Sequence, residues 1–208
     1  MSPARTGVAL VICAPSGTGK STLIKRLLAE FPRFAFSVSC TTRAPRPDET
    51  QGIDYDFLSR EEFLRRRDAG YFAEWAAVHD HFYGTPLLVT QELLASGRDL
   101  LFDVDVQGAS QLRRAIPDAW LIFLLPPSRE ELIRRLQGRQ TETPESLRKR
   151  LRIAAQEIAQ ARWFNLWIVN ADLEQAWQEL RAAYIAATLS PSCQAGILGE
   201  LLEEWEPE

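Results

Sequence analysis

Apolar residues along this chain fall into short runs and into longer segments with helical spacing, and the two kinds alternate. Runs typical of buried strands occupy residues 8–12, 100–104, 120–125 and 166–170. Segments with a helical period occupy residues 20–31, from about 107, from about 129, 144–162 and 172–187. This alternation predicts an α/β fold whose core is a parallel sheet flanked by helices.

A region of shorter elements interrupts the alternation after the first helix. Short strands are expected at residues 34–39, 55–58, 72–78 and 82–85, and helices at 59–69 and 86–96. Ser59 and Glu62 have the spacing of a capping box at the start of the first of these helices. Residues 40–54 carry two prolines and two arginines with little apolar content, which predicts an exposed loop. We therefore expect a small mixed α/β insertion in the core.

A second interruption lies between two basic helices. Ser128 is a predicted N-cap, and the helix that follows it becomes basic toward its end. Residues 138–143 break the periodicity before Pro144 opens a long helix. Two arginine-rich helix ends on either side of a polar loop predict a flap.

The first strand leads directly into a phosphate-binding loop. Glycines at 17 and 19 let backbone N–H groups converge on an anion, and the helix from Lys20 points its positive end at the same anion. In this motif the lysine reaches the terminal phosphates of a nucleotide and Ser21 holds Mg²⁺. Ala14 replaces the first glycine of the motif, which is tolerable at a negative φ. The residues expected to bind the nucleotide here are Ala14, Pro15, Ser16, Gly17, Thr18, Gly19, Lys20, Ser21 and Thr22.

The composition limits the classes of function. The 208 residues, 46% hydrophobic and 25% charged, suit one soluble α/β domain. A net charge of −4 gives no general attraction to nucleic acid or to an acidic membrane, and no run approaches the ~18 apolar residues of a membrane span. The three cysteines have neither ligand spacing nor an even number, so we expect a reducing, cytoplasmic location.

Five further motifs, taken with the phosphate loop, closely resemble the guanylate kinase family. They are SCTTRAPR at 39–46, GIDY at 52–55, FAEW at 72–75, YGT at 83–85 and DVDVQG at 103–108. The resemblance extends over residues 8–187. It implies a P-loop NTPase-type core with an NMP-binding insertion and a helical lid. It also implies a transferase of purine nucleotide metabolism that converts ATP and GMP to ADP and GDP with Mg²⁺, by in-line transfer with arginine charge stabilisation.

The phosphate of GMP is a dianion, and the chain offers suitable partners for it. Arg43 and Arg46 can provide planar forks, and Tyr55 and Tyr83 can donate hydroxyls. The acceptor oxygen is already anionic at neutral pH, so positioning and charge neutralisation suffice and no general base is required.

The guanine base also has matching partners. Glu74 can accept hydrogen bonds from the ring N1–H and the exocyclic amine, while the hydroxyls of Ser39 and Thr85 can donate to O6. In the family that the chain resembles, these positions bind GMP. The resemblance adds Asp105 as a contact of the base amine and Asp103 as the acidic residue that helps Ser21 to organise Mg²⁺.

The resemblance also implies a set of cations that stabilise the transferred phosphoryl group: Lys20, Arg135, Arg139 and Arg150. Gln140 stands where the family usually has a glycine, which affects the hinge beside Arg139. Asn170 matches a position near the adenine of ATP.

By the same resemblance, the chain is one guanylate kinase-like domain with several regions. They are the core at 1–35, 91–126 and 150–190, the GMP-binding region at 36–90, the lid at 127–149 and a C-terminal tail at 191–208. The expected partners are ATP and GMP, with neither nucleic acid nor membrane, and self-association stays open.

Two other functions fit parts of these patterns. The first is a guanylate-kinase-like module that binds phosphopeptides without catalysis; such modules are expected to lack a working phosphate loop, whereas Gly17, Gly19, Lys20 and Ser21 are all present. The second is a related kinase that acts on a phosphorylated sugar, which would have no use for Glu74 as a guanine-binding residue.

Overall fold

A computed structural model describes residues 5–35, 37–138 and 143–205 of the chain. The strands are β1 (Ala9–Cys13), β2 (Phe34–Ala35), β3 (Ser39–Thr41), β4 (Tyr55–Phe57), β5 (Phe72–Val78), β6 (His81–Pro86), β7 (Asp99–Asp103), β8 (Trp120–Leu125) and β9 (Leu166–Val169). The helices are α1 (Lys20–Glu30), α2 (Arg60–Asp68), α3 (Leu87–Ala95), α4 (Val106–Ala115), α5 (Arg129–Gln137), α6 (Pro144–Ala159), α7 (Leu173–Thr188) and α8 (Ala195–Trp205), with a 3₁₀ turn at Ala161–Trp163.

The core sheet has the strand order β2-β7-β1-β8-β9, and each neighbouring pair is parallel. β1 lies in the middle and is buried along its whole length, because α1 and α7 cover one face of the sheet and α4 covers the other. Leu10 and Ile12 pack toward the first layer, and Val11 and Cys13 toward the second. This arrangement confirms the predicted parallel core and brings the carboxyl ends of β1 and β7 together.

A second sheet forms the insertion, with the order β4-β3-β6-β5. β3 pairs parallel to β4 and antiparallel to β6, so this sheet combines both kinds of pairing, which the sequence patterns did not predict. Its small core is aromatic, since Phe63 from α2 stacks on Phe72 and Phe82 with ring centroids 4.5 and 5.4 Å apart. Gly84 makes this contact possible, because a Cβ there would lie 2.9 Å from the Phe72 ring.

The single strand predicted at residues 34–39 is wrong. Phe34 pairs with Asp99 in the core sheet, whereas Cys40 pairs with Gly84 in the insertion. Phe34 and the adjoining Cys40 are both buried but belong to different sheets, so this part of the chain contributes β2 to one sheet and β3 to the other. The apolar pattern predicts a strand in this segment, but it does not show that the two ends join different sheets.

The strand predicted at residues 100–104 begins one residue earlier, at Asp99. Its carboxylate is fully buried and accepts hydrogen bonds from the Arg5 guanidinium at 2.7 Å, from the Val8 N–H at 2.8 Å and from the Tyr184 hydroxyl at 2.6 Å. A buried charge with this many partners is well compensated, so it fixes the amino-terminal edge of the sheet opposite the phosphate loop. Nowhere in the described ranges is a helix long and apolar enough to cross a membrane.

Candidate active site

The phosphate loop has the backbone geometry that its glycines predict. Gly17 and Gly19 adopt φ values of 90° and 97°, and α1 begins immediately after them. A Cβ on Gly19 would lie 2.5 Å from the Asn170 side-chain nitrogen, so both the conformation and the space exclude a larger residue. Among the non-glycine residues in the described part of the chain, His79 alone has a positive φ, so Ala14 is unstrained as expected.

Asn170 supports the phosphate loop through a hydrogen bond to the loop backbone. It follows β9, is 3% exposed, and donates from its side-chain nitrogen to the Thr18 carbonyl at 2.7 Å. Its own backbone N–H donates to the Leu125 carbonyl at 2.9 Å, which fixes it to the core sheet. The structure thus gives Asn170 a bracing role, and its contact with adenine stays a prediction.

A cavity of about 340 Å³ lies at this loop. Its walls are residues 14–22 together with Asp105 and Glu157. Lys20 lies in this wall, and its ammonium group forms an ion pair with Asp103 at the end of β7. The positive charge expected to meet a nucleotide is therefore balanced by a carboxylate in the free protein.

Oxygen donors in and beside this cavity suit magnesium. Mg²⁺ is held in proteins by one or two carboxylates, hydroxyls and substrate phosphates while it keeps several waters. The Ser21 hydroxyl and the half-exposed Asp103 carboxylate belong to that donor class. Within residues 5–35, 37–138 and 143–205, no three His, Cys, Asp or Glu side chains cluster as a metal site.

A larger cavity, of about 580 Å³, opens between the two sheets. It brings together most of the residues predicted to bind GMP: Ser39, Tyr55, Glu74, Tyr83, Thr85 and Asp105. Asp103 also lines it, so the Lys20–Asp103 ion pair connects this cavity to the phosphate loop. Asp105 belongs to the walls of both cavities.

Glu74 is the buried carboxylate of the larger cavity. It is 9% exposed, and its Oε1 accepts a hydrogen bond from the Thr85 hydroxyl at 2.6 Å. β5 and β6 set this contact, since Glu74 and Thr85 are paired in register. Burial raises the pKa of the Glu74 carboxyl, the Thr85 hydrogen bond opposes the rise, and nearby Asp105 adds to it. Thr85 thus orients Glu74 in the free protein.

Arg43 lies beside the two tyrosines, held by a residue that the sequence patterns did not single out. Its guanidinium donates to Glu49 Oε1 at 2.8 Å and lies 5.5 Å from the centre of the Tyr55 ring. Glu49, followed by a hydrogen bond to Tyr83, raises the pKa of Arg43. Arg46 is exposed in the same loop, and its backbone N–H donates to Glu49 at 2.8 Å.

Two of the predicted lid arginines already contact the loop region. Arg135 on α5 donates to Glu131 at 2.7 Å and to the backbone carbonyl of Asn170 at 3.0 Å. Arg150 on α6 hydrogen bonds to the Ser16 hydroxyl in the phosphate loop. Arg139 and Gln140 lie outside the described residues.

The comparisons with known proteins agree with this geometry. The family model described as guanylate kinase matches residues 6–187. The chain is 60% identical over 201 residues to the guanylate kinase of Oleidesulfovibrio alaskensis, covering 97% of this chain and 98% of that protein. It is 58% identical over 205 residues to the guanylate kinase of Nitratidesulfovibrio vulgaris, covering 99% of each. The chain belongs to the guanylate kinase family.

A solved structure extends the likeness to three dimensions. The crystal structure of guanylate kinase from Anaplasma phagocytophilum matches with a TM-score of 0.70 at 33% identity, covering 98% of both chains. The whole described fold, with both sheets and the helices around them, is therefore that of the guanylate kinase family.

Some residues of this guanylate kinase family member could not be singled out from the sequence. Glu157 reaches the site only through the fold, and no local motif marks it. Ser37 lines the larger cavity, and its buried hydroxyl has no hydrogen-bond partner among the described residues. For Glu49 the sequence contains one weak indication, which is its spacing of three residues from Arg46 in a polar turn.

Proposed function

We propose that this chain transfers the γ-phosphoryl group of ATP to GMP and so forms ADP and GDP. The observation that carries the proposal is the junction of the two cavities. A cavity with a buried carboxylate suited to guanine and a phosphate-binding loop share Asp105 as a common wall, and the Lys20–Asp103 ion pair joins them. Two nucleotides bound in this way present their phosphates to each other.

On the acceptor side, Glu74 recognises the guanine base. Its Oε1 is engaged by Thr85, so the other carboxylate oxygen is available to the N1–H and amine of the base. Ser39 then supplies the donor for O6, and Asp105 accepts from the amine. Arg43, Tyr55 and Tyr83 lie close to one another and bind the phosphate of GMP. Arg43 gives up its ion pair with Glu49 to do so. Arg46, in the same loop, binds the same phosphate.

On the donor side, the residues of the phosphate loop bind the ATP phosphates. Lys20 leaves Asp103 for the β- and γ-phosphates, and Asp103 and the Ser21 hydroxyl become free to hold Mg²⁺. When bound, the ion neutralises phosphate charge and orients the transferred group. Asn170 keeps the loop in shape through Thr18.

Residues 127–149 form the lid in this proposal, and residues 36–90 form the GMP-binding region. Arg135, Arg139 and Arg150 neutralise charge that moves to the bridging oxygens during transfer, which is the stage at which such contacts contribute most. Arg150 contacts Ser16 and Arg135 donates to the carbonyl of Asn170, so both are held beside the phosphate loop in the free protein. The three cysteines, all buried free thiols, support a reducing compartment such as the cytoplasm.

The test combines turnover with ligand specificity. ADP release from ATP and Mg²⁺ is followed by a coupled assay with GMP, AMP or ribose 5-phosphate as acceptor, and thermal shift is measured with the same acceptors. We expect turnover and stabilisation with GMP and neither with ribose 5-phosphate. Stabilisation by GMP without ADP formation would indicate a binding module instead. Turnover with the sugar phosphate but not with GMP would indicate a sugar kinase.

A further inference from the structure

Glu157 is an acidic residue in the wall of a cavity built to bind anions. It lies two residues before the end of α6, and its half-buried side chain lines the phosphate-loop cavity together with Asp105. Within the described part of the chain, its carboxylate makes no hydrogen bond or ion pair. Two other carboxylates at the site differ in this respect, since the half-buried Glu49 holds Arg43 and the buried Glu74 is engaged by Thr85.

The electrostatic setting makes this position unfavourable in the free protein. Burial raises the pKa of the Glu157 carboxyl above its usual value, Lys20 opposes the rise and Asp105 adds to it. A carboxylate here also repels the phosphates that the loop binds, because like charges a few ångströms apart interact strongly away from bulk water. A neutral residue would satisfy packing at lower cost, so the charge points to a positively charged or hydrogen-bond-donating partner in the nucleotide complex.

The charge of that partner follows from the surrounding residues. Lys20 is already paired with Asp103 and serves the phosphates once a nucleotide binds. Arg150 contacts Ser16 of the loop and neutralises the transferred phosphoryl group in the proposed function. A magnesium ion held at Ser21 would be a further cation of the site, and such an ion keeps several waters when it binds phosphates. Those waters need acceptors on the protein side, and outer-shell acceptors of this kind tune metal affinity by roughly 10- to 100-fold.

We propose that Glu157 positions the magnesium ion by accepting hydrogen bonds from its bound waters in the phosphate-loop cavity. This inference rests on the proposed function. Glu157 is a positioning residue rather than a ligand, because it acts through water. Its place near the end of α6 joins the metal site to the helix that carries Arg150, which contacts Ser16 of the loop.

The test measures metal binding directly. Glu157→Gln keeps the size and shape of the side chain and removes its charge. Glu92→Gln, at an exposed residue of α3 outside the lid and the GMP-binding region, is the matched control. Binding of Mn²⁺ to the protein–ADP complex is followed by the electron paramagnetic resonance signal of free Mn²⁺. ADP affinity without metal and GMP affinity are measured by calorimetry.

We expect Glu157→Gln to raise the Kd of Mn²⁺ about 10-fold or more, in the range of outer-shell effects. Metal-free ADP binding should stay unchanged or become tighter, since a repelling charge is removed, and GMP binding should stay unchanged. Glu92→Gln should match the wild type throughout. Glu157→Asp retains the charge on a shorter side chain and should lie between the wild type and Glu157→Gln.

Several outcomes would overturn the inference. Mn²⁺ affinity within twofold of the wild type in Glu157→Gln would remove the metal role. Weaker metal-free ADP binding would assign Glu157 to the nucleotide itself, for example to a ribose hydroxyl. If Glu157→Gln does not fold, a Glu157→Asp protein with wild-type Mn²⁺ affinity would also count against it. A wild-type protein that binds Mn²⁺ and ADP but not GMP would refute the proposed function alone.

Discussion

Replacing Glu74 by Gln changes one atom and one charge in the larger cavity, and the structure allows its effect to be worked out. Thr85 donates to Glu74 Oε1 at 2.6 Å, which leaves the second oxygen for guanine. A Gln that keeps its oxygen on Thr85 turns its NH₂ group toward the N1–H and the amine of the base, so that donors face donors. If the Thr85 hydroxyl rotates to accept instead, the Gln oxygen still faces guanine but carries no charge.

The two arrangements bracket the loss. Losing the charge assistance and one contact costs about 1.5–3 kcal/mol, and the opposed donors bring the total to roughly 3–5 kcal/mol. GMP should therefore bind about 10²- to 10³-fold more weakly to the variant, with the lower limit near 10-fold if Thr85 adapts. AMP has no N1–H to offer, so its affinity should change little. Specificity would fall through the loss of GMP rather than through a gain of AMP.

Folding and binding respond in opposite directions to this substitution. Because burial raises the pKa of Glu74, the ionised carboxylate opposes folding at pH 7, and a neutral Gln should leave Tm unchanged or higher. Calorimetric titration of both proteins with GMP and AMP, beside a melting curve, gives all the required quantities. A fall in GMP affinity of less than threefold, or an equal fall for AMP, would refute the guanine assignment. A lower Tm would refute the account of burial.

Three further predictions concern the phosphates and the pH. Lys20→Met should lower kcat roughly 10²-fold or more while GMP affinity stays within twofold, because Lys20 lies on the donor side; equal losses would contradict two separate sites. Arg139→Ala should lower kcat more than it raises either KM, and an unchanged kcat would exclude a role in transfer. The ratio of GMP affinities between wild type and Glu74→Gln should shrink as the pH falls through a pKa above the ordinary ~4.3 of Glu, since protonation removes the acceptor that Gln already lacks. The titration of the GMP phosphate cancels in this ratio, and a constant ratio down to pH 4.3 would contradict the raised pKa.

The sequence was most informative where a function depends on neighbouring residues. The phosphate loop needs glycines, a lysine and a helix start in one segment, so its backbone geometry could be predicted almost residue by residue. The pairing of Glu74 with Thr85 is different, because it depends on the register of β5 and β6. The residue types indicated the guanine chemistry, but only the sheet shows that Thr85 donates to Glu74.

Charge partners across the fold were least predictable. Asp99 reads as a polar residue before a strand, yet the fold buries it among Arg5, Val8 and Tyr184. Glu157 lies on a helix with an ordinary amphipathic pattern, and no local feature separates it from the exposed acidic residues. Contacts of this kind join residues far apart in the chain, so no short segment of the sequence predicts them.

The ion pair between Lys20 and Asp103 gives the proposed enzyme a form of thermodynamic coupling. A phosphate that binds alone would pair with Lys20 and leave Asp103 without a positive partner. A metal ion that binds alone would pair with Asp103 and leave Lys20 without a negative one. When both arrive, each group of the pair exchanges one partner for another, so neither Lys20 nor Asp103 is left without an opposite charge. Nucleotide and metal should therefore enhance each other's affinity by the same factor, as linkage requires. Free phosphate or a free cation, either of which meets half of the pair, should compete poorly for the empty site.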